Sequence, residues 1–123
     1  MRDNDSAHQS EATLSVIRRF HDAFNRHDVA AIMALMTDDC VFENTHPPPD
    51  GERFEGQAAV RAFWERLFAG SPQAFFEVED IFASEERGVI RWHYQYGTGH
   101  IRGVDVLRVR DGKVAEKLSY VKG

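Results

Sequence analysis

The chain has 123 residues and a formal net charge of −5 at pH 7, with 42% hydrophobic and 28% charged residues. This length suits one domain rather than two, and the composition is ordinary for a soluble globular protein. Acidic and basic residues are mixed without a basic patch, which argues against nucleic-acid binding, and no apolar run approaches the roughly 20 residues of a membrane span.

The N-terminal segment MRDNDSAHQSEA is polar and lacks the apolar region of a signal peptide. Cys40 is the single cysteine, which excludes an internal disulfide. These features predict a cytoplasmic protein with a flexible tail at residues 1–10 and one domain over residues 11–123. Six histidines occur without a short-range pair such as HxH or HxxxH, and no CxxC is present, so no metal or other cofactor is expected.

A first amphipathic helix is predicted directly after the tail. Leu14, Ile17, Phe20 (or His21) and Phe24 follow one another at intervals of three or four residues. This spacing puts them on one apolar stripe of a helix. The sequence NRHD then interrupts this periodicity.

Asp28 is a good N-cap for a second helix, VAAIMALM, which the sequence TDD is predicted to end. CVFEN has the composition of a short strand, and THPPPDGERFEG is predicted as a loop because three consecutive prolines fit neither a helix nor a central strand. QAAVRAFWERLFAG is a third amphipathic helix with Gly70 as its stop, and its apolar stripe consists of Val60, Phe63, Trp64, Leu67 and Phe68.

The remaining sequence is predicted to be β. The predicted strands are AFFEVEDIFAS, VIRWHYQYG, IRGVDVLRVR and KVAEKLSYV, and the dipeptide DG marks a hairpin turn before the last of them. The order ααβαββββ predicts an α+β fold in which helices cover one face of a curved, mostly antiparallel sheet.

Asp105 is conspicuous because it lies between two valines in an apolar strand. Strand alternation puts Asp105 on one face with Leu107 and Val109. A carboxylate buried there without a partner would cost several kcal/mol. Asp105 is therefore either an acid in a pocket or an acid at a sheet edge, where it would be solvated or paired with an arginine.

The preceding strand separates two kinds of side chain. Arg91, His93 and Gln95 share one face, whereas the other face carries aromatic residues such as Trp92 and Tyr94. In an ordinary domain the aromatic face would be the core. Charges of opposite sign on Arg91 and Asp105 slightly favour a common polar face for the two strands.

Three segments resemble the SnoaL-like branch of the NTF2-like superfamily: FHDAFNRHDVAAIMALMTDDCVFEN, FEGQAAVRAFWERLF and RGVDVLRVRDGKVAEKL. The resemblance covers nearly the whole chain beyond residue 11. It implies a cone-shaped α+β fold with a deep pocket that opens at one end, and usually a dimer built on the outer sheet face. It does not select an activity, because the superfamily contains isomerases, cyclases, epoxide hydrolases, dehydratases, transport factors and members without a known reaction.

By this resemblance, an acid at the position of Asp105 points into the pocket and acts in proton transfer. Epoxide-hydrolase relatives have Tyr-x-Asn where this chain has Phe42-x-Asn44, and they carry acids near the positions of His93 and Ser119, so the resemblance counts against that reaction. Cyclase relatives pair the acid with a histidine on the preceding strand. His93 is then the first candidate.

His100 is the second candidate for the same role, because the register of the hairpin is uncertain from sequence. The predicted function is a cofactor-independent isomerase or cyclase that transfers protons on a small, apolar, flat or ring-shaped carbonyl compound, with Asp105 and His93 as the acid–base pair. Non-catalytic binding of a small ligand and a dimeric scaffold with a vestigial pocket are the alternatives. The predicted substrate-binding residues are Arg91, Asn44, Trp64, Phe20, Phe42, Gln95 and Leu107.

Overall fold

The computed structural model describes residues 2–122 and has helices packed on one six-stranded sheet. In chain order the elements are α1 (Arg2–Asn25), α2 (Val29–Ala34), β1 (Met36–Glu43), β2 (Arg53–Glu55), α3 (Gln57–Gly70), β3 (Phe76–Ser84), β4 (Arg87–Tyr96), β5 (Gly99–Arg110) and β6 (Lys113–Val121).

Helix α1 begins earlier than the sequence pattern predicts. Residues 2–10, predicted as a tail, are helical. The hydroxyl of Ser10 donates to the carbonyl of Ser6 at 2.9 Å and accepts from the backbone N–H of Glu85 at 2.7 Å. This contact ties the polar start of α1 to the β3–β4 turn, a long-range interaction that periodicity does not reveal.

The other helices follow their sequence signals more closely. The carboxylate of Asp28 accepts a hydrogen bond from the backbone N–H of Ala31, so Asp28 caps α2 as predicted. Helix α3 ends at Gly70 and buries Trp64 in its apolar stripe, again as predicted. The TDD sequence differs: α2 stops at Ala34, and these residues already belong to strand β1.

The sheet has the order β2-β1-β6-β5-β4-β3. Every neighbouring pair is antiparallel except β1 and β6, which are parallel. The three-residue edge strand β2 was absent from the predicted order, because three residues are too few to display alternation. The α+β class and the mostly antiparallel sheet are confirmed.

The helices cover one face of the sheet, which we call the inner face. Helix α1 packs against β3 and β4, and α3 packs against β1. The core between the layers is rich in aromatic residues, and Phe24 contacts Trp64, Phe68 and Phe76 edge-on at centroid distances of 5.1–5.5 Å. The opposite, outer face carries no covering element among the described residues.

Candidate functional site

A cavity of about 230 Å³ lies between the helices and the inner face of the sheet. Its lining is mostly aromatic and aliphatic, with a few polar groups. Half-buried Asn44 and exposed His46 follow β1 and form part of the rim, whereas fully buried Ile90 and Leu107 lie deep in the sheet. An apolar hollow with few polar groups is the usual form of a small-molecule site. The remaining lining residues are Phe20, His21, Phe24, Phe42, Thr45, Phe63, Trp64, Leu67, Phe76, Trp92, Tyr94, Ile101, Asp105, Lys117, Ser119 and Val121.

Asp105 lies in the wall of this cavity and is only 5% exposed. Strand β5 pairs with β6 so that Asp105 is directly opposite Ser119 and Leu107 is opposite Lys117. Opposed residues of an antiparallel pair share a face, which brings both β6 side chains to the carboxylate. Ser119 Oγ donates to Asp105 Oδ1 at 2.7 Å, and Lys117 Nζ lies 3.1 Å from Oδ2. The carboxylate therefore has a protein partner on each oxygen.

Lys117 is 7% exposed, which is unusual for a lysine. Its ammonium group lies 4.8 Å from the ring centroid of Phe42 and 5.3 Å from those of Phe24 and Trp64. Nζ also donates to Ser119 Oγ at 3.2 Å. An ammonium has three N–H donors. Two of them bind Asp105 and Ser119, and the third is free to face the aromatic rings of the cavity wall.

His21, on α1, is a further polar residue of the lining. Its Nε2 lies 2.8 Å from the carbonyl oxygen of Phe76. Since a carbonyl can only accept, Nε2 carries the hydrogen and Nδ1 of the neutral ring is an acceptor. Burial lowers the pKa of His21, which outweighs the opposing effects of the Phe76 carbonyl and the Asp105 carboxylate. The imidazole is therefore neutral at neutral pH.

The structure brings several of the predicted site residues into the cavity. Asn44, Phe20, Phe42 and Trp64 all line it together with Asp105. Leu107 is on the same face of β5 as Asp105, as strand alternation predicted, and it also lines the cavity. Their placement agrees with the prediction, while their catalytic or binding roles stay predictions.

The polar residues of β4 do not join them, and the prediction that His93 shares a cavity with Asp105 is wrong. Ile90 is directly opposite Asp105, so Ile90 and Trp92 face inwards while Arg91, His93 and Gln95 face outwards. Turning the aromatic side chains inwards buries far more apolar area than the polar face could.

The outward residues have partners of their own. Nε2 of His93 lies 2.9 Å from Nδ1 of His100, and Nδ1 of His93 lies 3.9 Å from the carboxylate of Glu77. The guanidinium of Arg91 lies 3.8 Å from the carboxylate of Asp80. His100, the second candidate for the partner of Asp105, is thus also outside the cavity.

Lys117 and His21 are two of the polar site residues that the sequence prediction missed. In KVAEKLSYV, Lys117 and Ser119 share a face by alternation, so a pocket position for Ser119 would have implied one for Lys117. His21 is in the apolar register of α1, where it appeared only as an alternative to Phe20. Lys117 and His21 each occupy a position on the buried face of their strand or helix, where the sequence pattern leads one to expect an apolar side chain.

The described residues contain no group of three or more His, Cys, Asp or Glu side chains placed to hold a metal ion. None of the helices within residues 2–122 is long and apolar enough to cross a membrane. Cys40 is fully buried, and burial raises the pKa of its thiol, which disfavours the nucleophilic thiolate.

The helix-covered sheet and its largely apolar, aromatic-walled cavity define the class of cone-shaped α+β pocket proteins. Among solved structures, an NTF2-like protein of unknown function from Mesorhizobium loti is 42% identical, with 94% of each chain covered and a TM-score of 0.84. A Kribbella flavida protein provisionally described as a ketosteroid isomerase is 22% identical over 93% of this chain and 80% of its own, with a TM-score of 0.81.

A Sinorhizobium meliloti protein provisionally described as a polyketide cyclase is 16% identical over 86% of this chain and 94% of its own, with a TM-score of 0.74. At these identities the last two show a common fold alone. No curated protein matches the chain. The SnoaL-like domain family matches residues 17–117, and the protein belongs to that family.

Proposed function

We propose that this SnoaL-like protein is a cofactor-independent isomerase or cyclase that moves a proton on a small, apolar carbonyl compound. The observation that carries this proposal is the Asp105–Lys117 pair, which is buried in an aromatic cavity and joined at 3.1 Å. A buried ion pair is a poor stabiliser compared with well-packed apolar side chains. A chemical role accounts for a charged pair at this position better than a structural role does.

In this proposal Asp105 removes a proton from the carbon next to the carbonyl group. The third N–H of Lys117 donates to the carbonyl oxygen as negative charge develops on it, and the proton then returns from Asp105 to the same or another carbon. The carboxylate and the ammonium lie side by side. This arrangement suits an enolate, whose deprotonated carbon and oxygen are attached to the same central carbon. The apolar walls exclude water and strengthen both interactions.

Lys117 replaces His93 as the complement of Asp105 in this scheme. It supplies a cation close to the carboxylate, whereas His93 faces the other side of the sheet. The ketosteroid isomerase and polyketide cyclase descriptions of two structural neighbours are compatible with such proton transfer but apply to those proteins.

The test is hydrogen–deuterium exchange, which needs no knowledge of the product. 1-Indanone and 1-tetralone would be incubated with the protein in D₂O, and deuterium at the carbon next to the carbonyl would be followed by ¹H NMR. Wild-type protein is expected to accelerate exchange, and Asp105→Asn is expected to reduce that acceleration by about 10²-fold or more. Asp80→Asn removes an exposed carboxylate and is the matched control.

Equal exchange rates with wild type and Asp105→Asn would remove Asp105 from the reaction. The second candidate function, non-catalytic binding of a small ligand, is favoured by one observation: both oxygens of Asp105 already have protein partners. Binding of the same ketones without any accelerated exchange would support that function instead.

We also propose that the chain forms a homodimer through the outer face of the sheet. Phe82, Val89, Val106 and Leu118 are consecutive partners across β3, β4, β5 and β6. Phe82 is 52% exposed, and such an uncovered apolar row is typical of an interaction surface.

Light scattering is expected to give twice the 14.1 kDa chain mass for wild type. Val106→Glu should shift the protein to monomer, because it places a charge in the centre of the row. Gln95→Glu, on the same face but outside the row, is the control. A monomeric wild type at micromolar concentration would contradict the proposal.

A further inference from the structure

Lys117 is unusual among the basic residues of the chain. The sequence has three lysines and twelve arginines, and the other two lysines, Lys113 and Lys122, are exposed. Buried ion pairs normally use arginine, because its planar guanidinium is weakly hydrated and binds a carboxylate through two N–H groups. The cation beside Asp105 in the cavity is nevertheless a lysine. This points to a property of the amine that a guanidinium lacks.

That property is nucleophilicity. A lysine amine that has lost its proton forms an imine with an aldehyde or a ketone, whereas a guanidinium stays protonated and does not react. A hydrophobic pocket that keeps water away is a usual setting for such a lysine. Lys117 has this setting, since it is 7% exposed and its Nζ lies among three aromatic rings.

The amine of Lys117 borders the cavity. The three rings around Nζ, at centroid distances of 4.8–5.3 Å, all line the cavity, and so do its polar partners Asp105 and Ser119. Strand β6 lies between β1 and β5 and the helices cover its inner face, so the exposed 9% of the Lys117 side chain opens into the cavity. A carbonyl compound held there lies against Nζ.

Asp105 is positioned to move the protons of such a step. Its Oδ2 lies 3.1 Å from Nζ and can accept the proton that the amine must lose before it attacks. Ser119 donates to the other oxygen at 2.7 Å, which fixes the direction of the carboxylate. A nucleophile in contact with a base that a third group orients is the usual signature of covalent catalysis.

We infer that Lys117 forms an imine with a small aldehyde or ketone of one or two rings. Nζ attacks the carbonyl carbon, a C=N bond replaces the C=O bond, and two of the three ammonium hydrogens leave with the oxygen as water. The product is a protonated imine, so the positive charge beside Asp105 is retained and no group is oxidised or reduced. Asp105 then removes the proton from the neighbouring carbon, because the cationic imine withdraws electrons more strongly than a neutral carbonyl group does.

The inference rests on the proposed function, because it assumes that a carbonyl compound occupies this cavity. It adds a covalent step and a substrate class, since aldehydes and ketones form imines whereas hydrocarbons, esters and amides do not. The cavity sets the size of the substrate. An apolar cavity of about 150 Å³ accepts one benzene molecule, so the volume of about 230 Å³ found here suits one ring or two fused rings.

The first test traps the imine on the protein. Benzaldehyde has no hydrogen on the carbon next to its carbonyl group, so it can form the imine but cannot undergo the proposed proton transfer. Wild-type protein would be treated with benzaldehyde and sodium cyanoborohydride, which reduces an imine to a stable amine. Tandem mass spectrometry would then give the rate at which each lysine is benzylated, with the exposed Lys113 and Lys122 as controls in the same molecule.

We expect Lys117 to be benzylated about tenfold faster than Lys113 and Lys122, because the cavity holds the aldehyde against the amine. A lysine that is merely buried would be shielded and would react more slowly than both, so the two roles predict opposite orders. Lys117→Arg keeps a cation beside Asp105 without the nucleophile and should lose only the fast reaction. Should this variant fail to fold, the order of the three lysines in wild type still decides the question.

The second test follows the carbonyl oxygen of 1-indanone in H₂¹⁸O by mass spectrometry. Formation and hydrolysis of an imine exchange this oxygen with water, whereas an enolate that is only hydrogen-bonded to Lys117 keeps it. Wild type is expected to accelerate ¹⁸O incorporation, and Lys117→Arg is expected to abolish the acceleration.

The two proposals fail in different ways. Lys117 benzylation no faster than that of the exposed lysines, or deuterium exchange of 1-indanone without ¹⁸O incorporation, would overturn the imine; accelerated deuterium exchange would still support the proton transfer. Fast benzylation of Lys117 without any deuterium exchange would support the nucleophile and remove the proton transfer.

Discussion

The two faces of the sheet use charge in opposite ways. On the outer face, pairs such as Arg102–Glu79, with 3.1 Å between nitrogen and oxygen, are partly solvated. On the inner face, Asp105 and Lys117 are paired at the same distance, but their side chains are only 7% and 9% exposed. The geometry is alike and the environment differs, so equal distances do not imply equal consequences for stability or chemistry.

The largest expected effect comes from breaking the inner pair. Lys117→Met leaves the Asp105 carboxylate buried without its cation and should lower the free energy of unfolding by about 3–5 kcal/mol. Arg102→Met, at an outer pair of equal length, should cost less than about 1 kcal/mol. Urea denaturation of the two variants measures both values.

The double variant Asp105→Leu/Lys117→Met sharpens the same comparison. It removes both charges and should recover most of the stability lost in Lys117→Met, because no uncompensated charge remains. A double variant as unstable as the single one would show that packing, rather than charge burial, explains the effect.

A smaller effect is expected at Gly103, where the inner face admits no additional methyl group. In Gly103→Ala the Cβ would lie 2.4 Å from the backbone carbonyl oxygen of Tyr120 as well as against Trp92, and overpacking should cost about 1–3 kcal/mol. The emission maximum of Trp92, isolated in a Trp64→Phe background, should shift at the same time. Val104→Ala, one residue along and on the outer face, is the control, and an unchanged Trp92 spectrum in Gly103→Ala would contradict the packing argument.

The pH dependence of stability should also differ between the inner and the exposed histidines. Burial lowers the pKa of His21 in the folded state below its unfolded value, so the unfolded chain binds the proton more readily. The stability associated with neutral His21 is complete above the unfolded pKa of about 6.5 and is lost as pH falls towards the folded value.

Denaturation at pH 7.5 and pH 5 should therefore show a larger loss for wild type than for His21→Gln. His8→Gln, at an exposed position of α1, should behave like wild type. An identical pH dependence of wild type and His21→Gln would contradict the assignment of a neutral, buried imidazole.

The smallest effect is expected at Arg91, whose pairing with Asp80 at 3.8 Å is solvated. Arg91→Ala should change the free energy of unfolding by less than about 1 kcal/mol and leave ketone binding unchanged, because the side chain faces away from the cavity. A marked loss of binding in this variant would reopen the original prediction that Arg91 lines the site.

Local patterns were sufficient to predict much of the architecture. Periodicity located α3, the cap at Asp28 located α2, and alternation within β5 put Asp105 and Leu107 on one face. For β4 the local pattern favoured the aromatic face as the core, but the family resemblance placed Arg91 and His93 in the pocket and led to the wrong face. The pairing of Ile90 with Asp105 fixes which residues of β4 lie beside the carboxylate, and that register depends on contacts made when the whole sheet assembles.

The same limit applies to the partner of Asp105. The histidine on the preceding strand was chosen from the resemblance to cyclase relatives, and Lys117 was not among the candidates. Three aromatic rings from β1, α1 and α3 surround the ammonium of Lys117, and no single stretch of sequence contains them. Burial of a charged residue such as Lys117 is thus a property of the assembled fold.

The parallel pairing of β1 with β6 has a consequence for how the molecule is made. On a ribosome, Phe42 emerges 75 residues before Lys117, its direct neighbour in the β1–β6 register. Contacts so distant in sequence form slowly, and an early strand edge stays open to wrong partners until then. Strand β6 follows the other five strands in the chain and delivers Lys117 and Ser119 together, so the Asp105 carboxylate meets both of its partners only after all the other strands have been made.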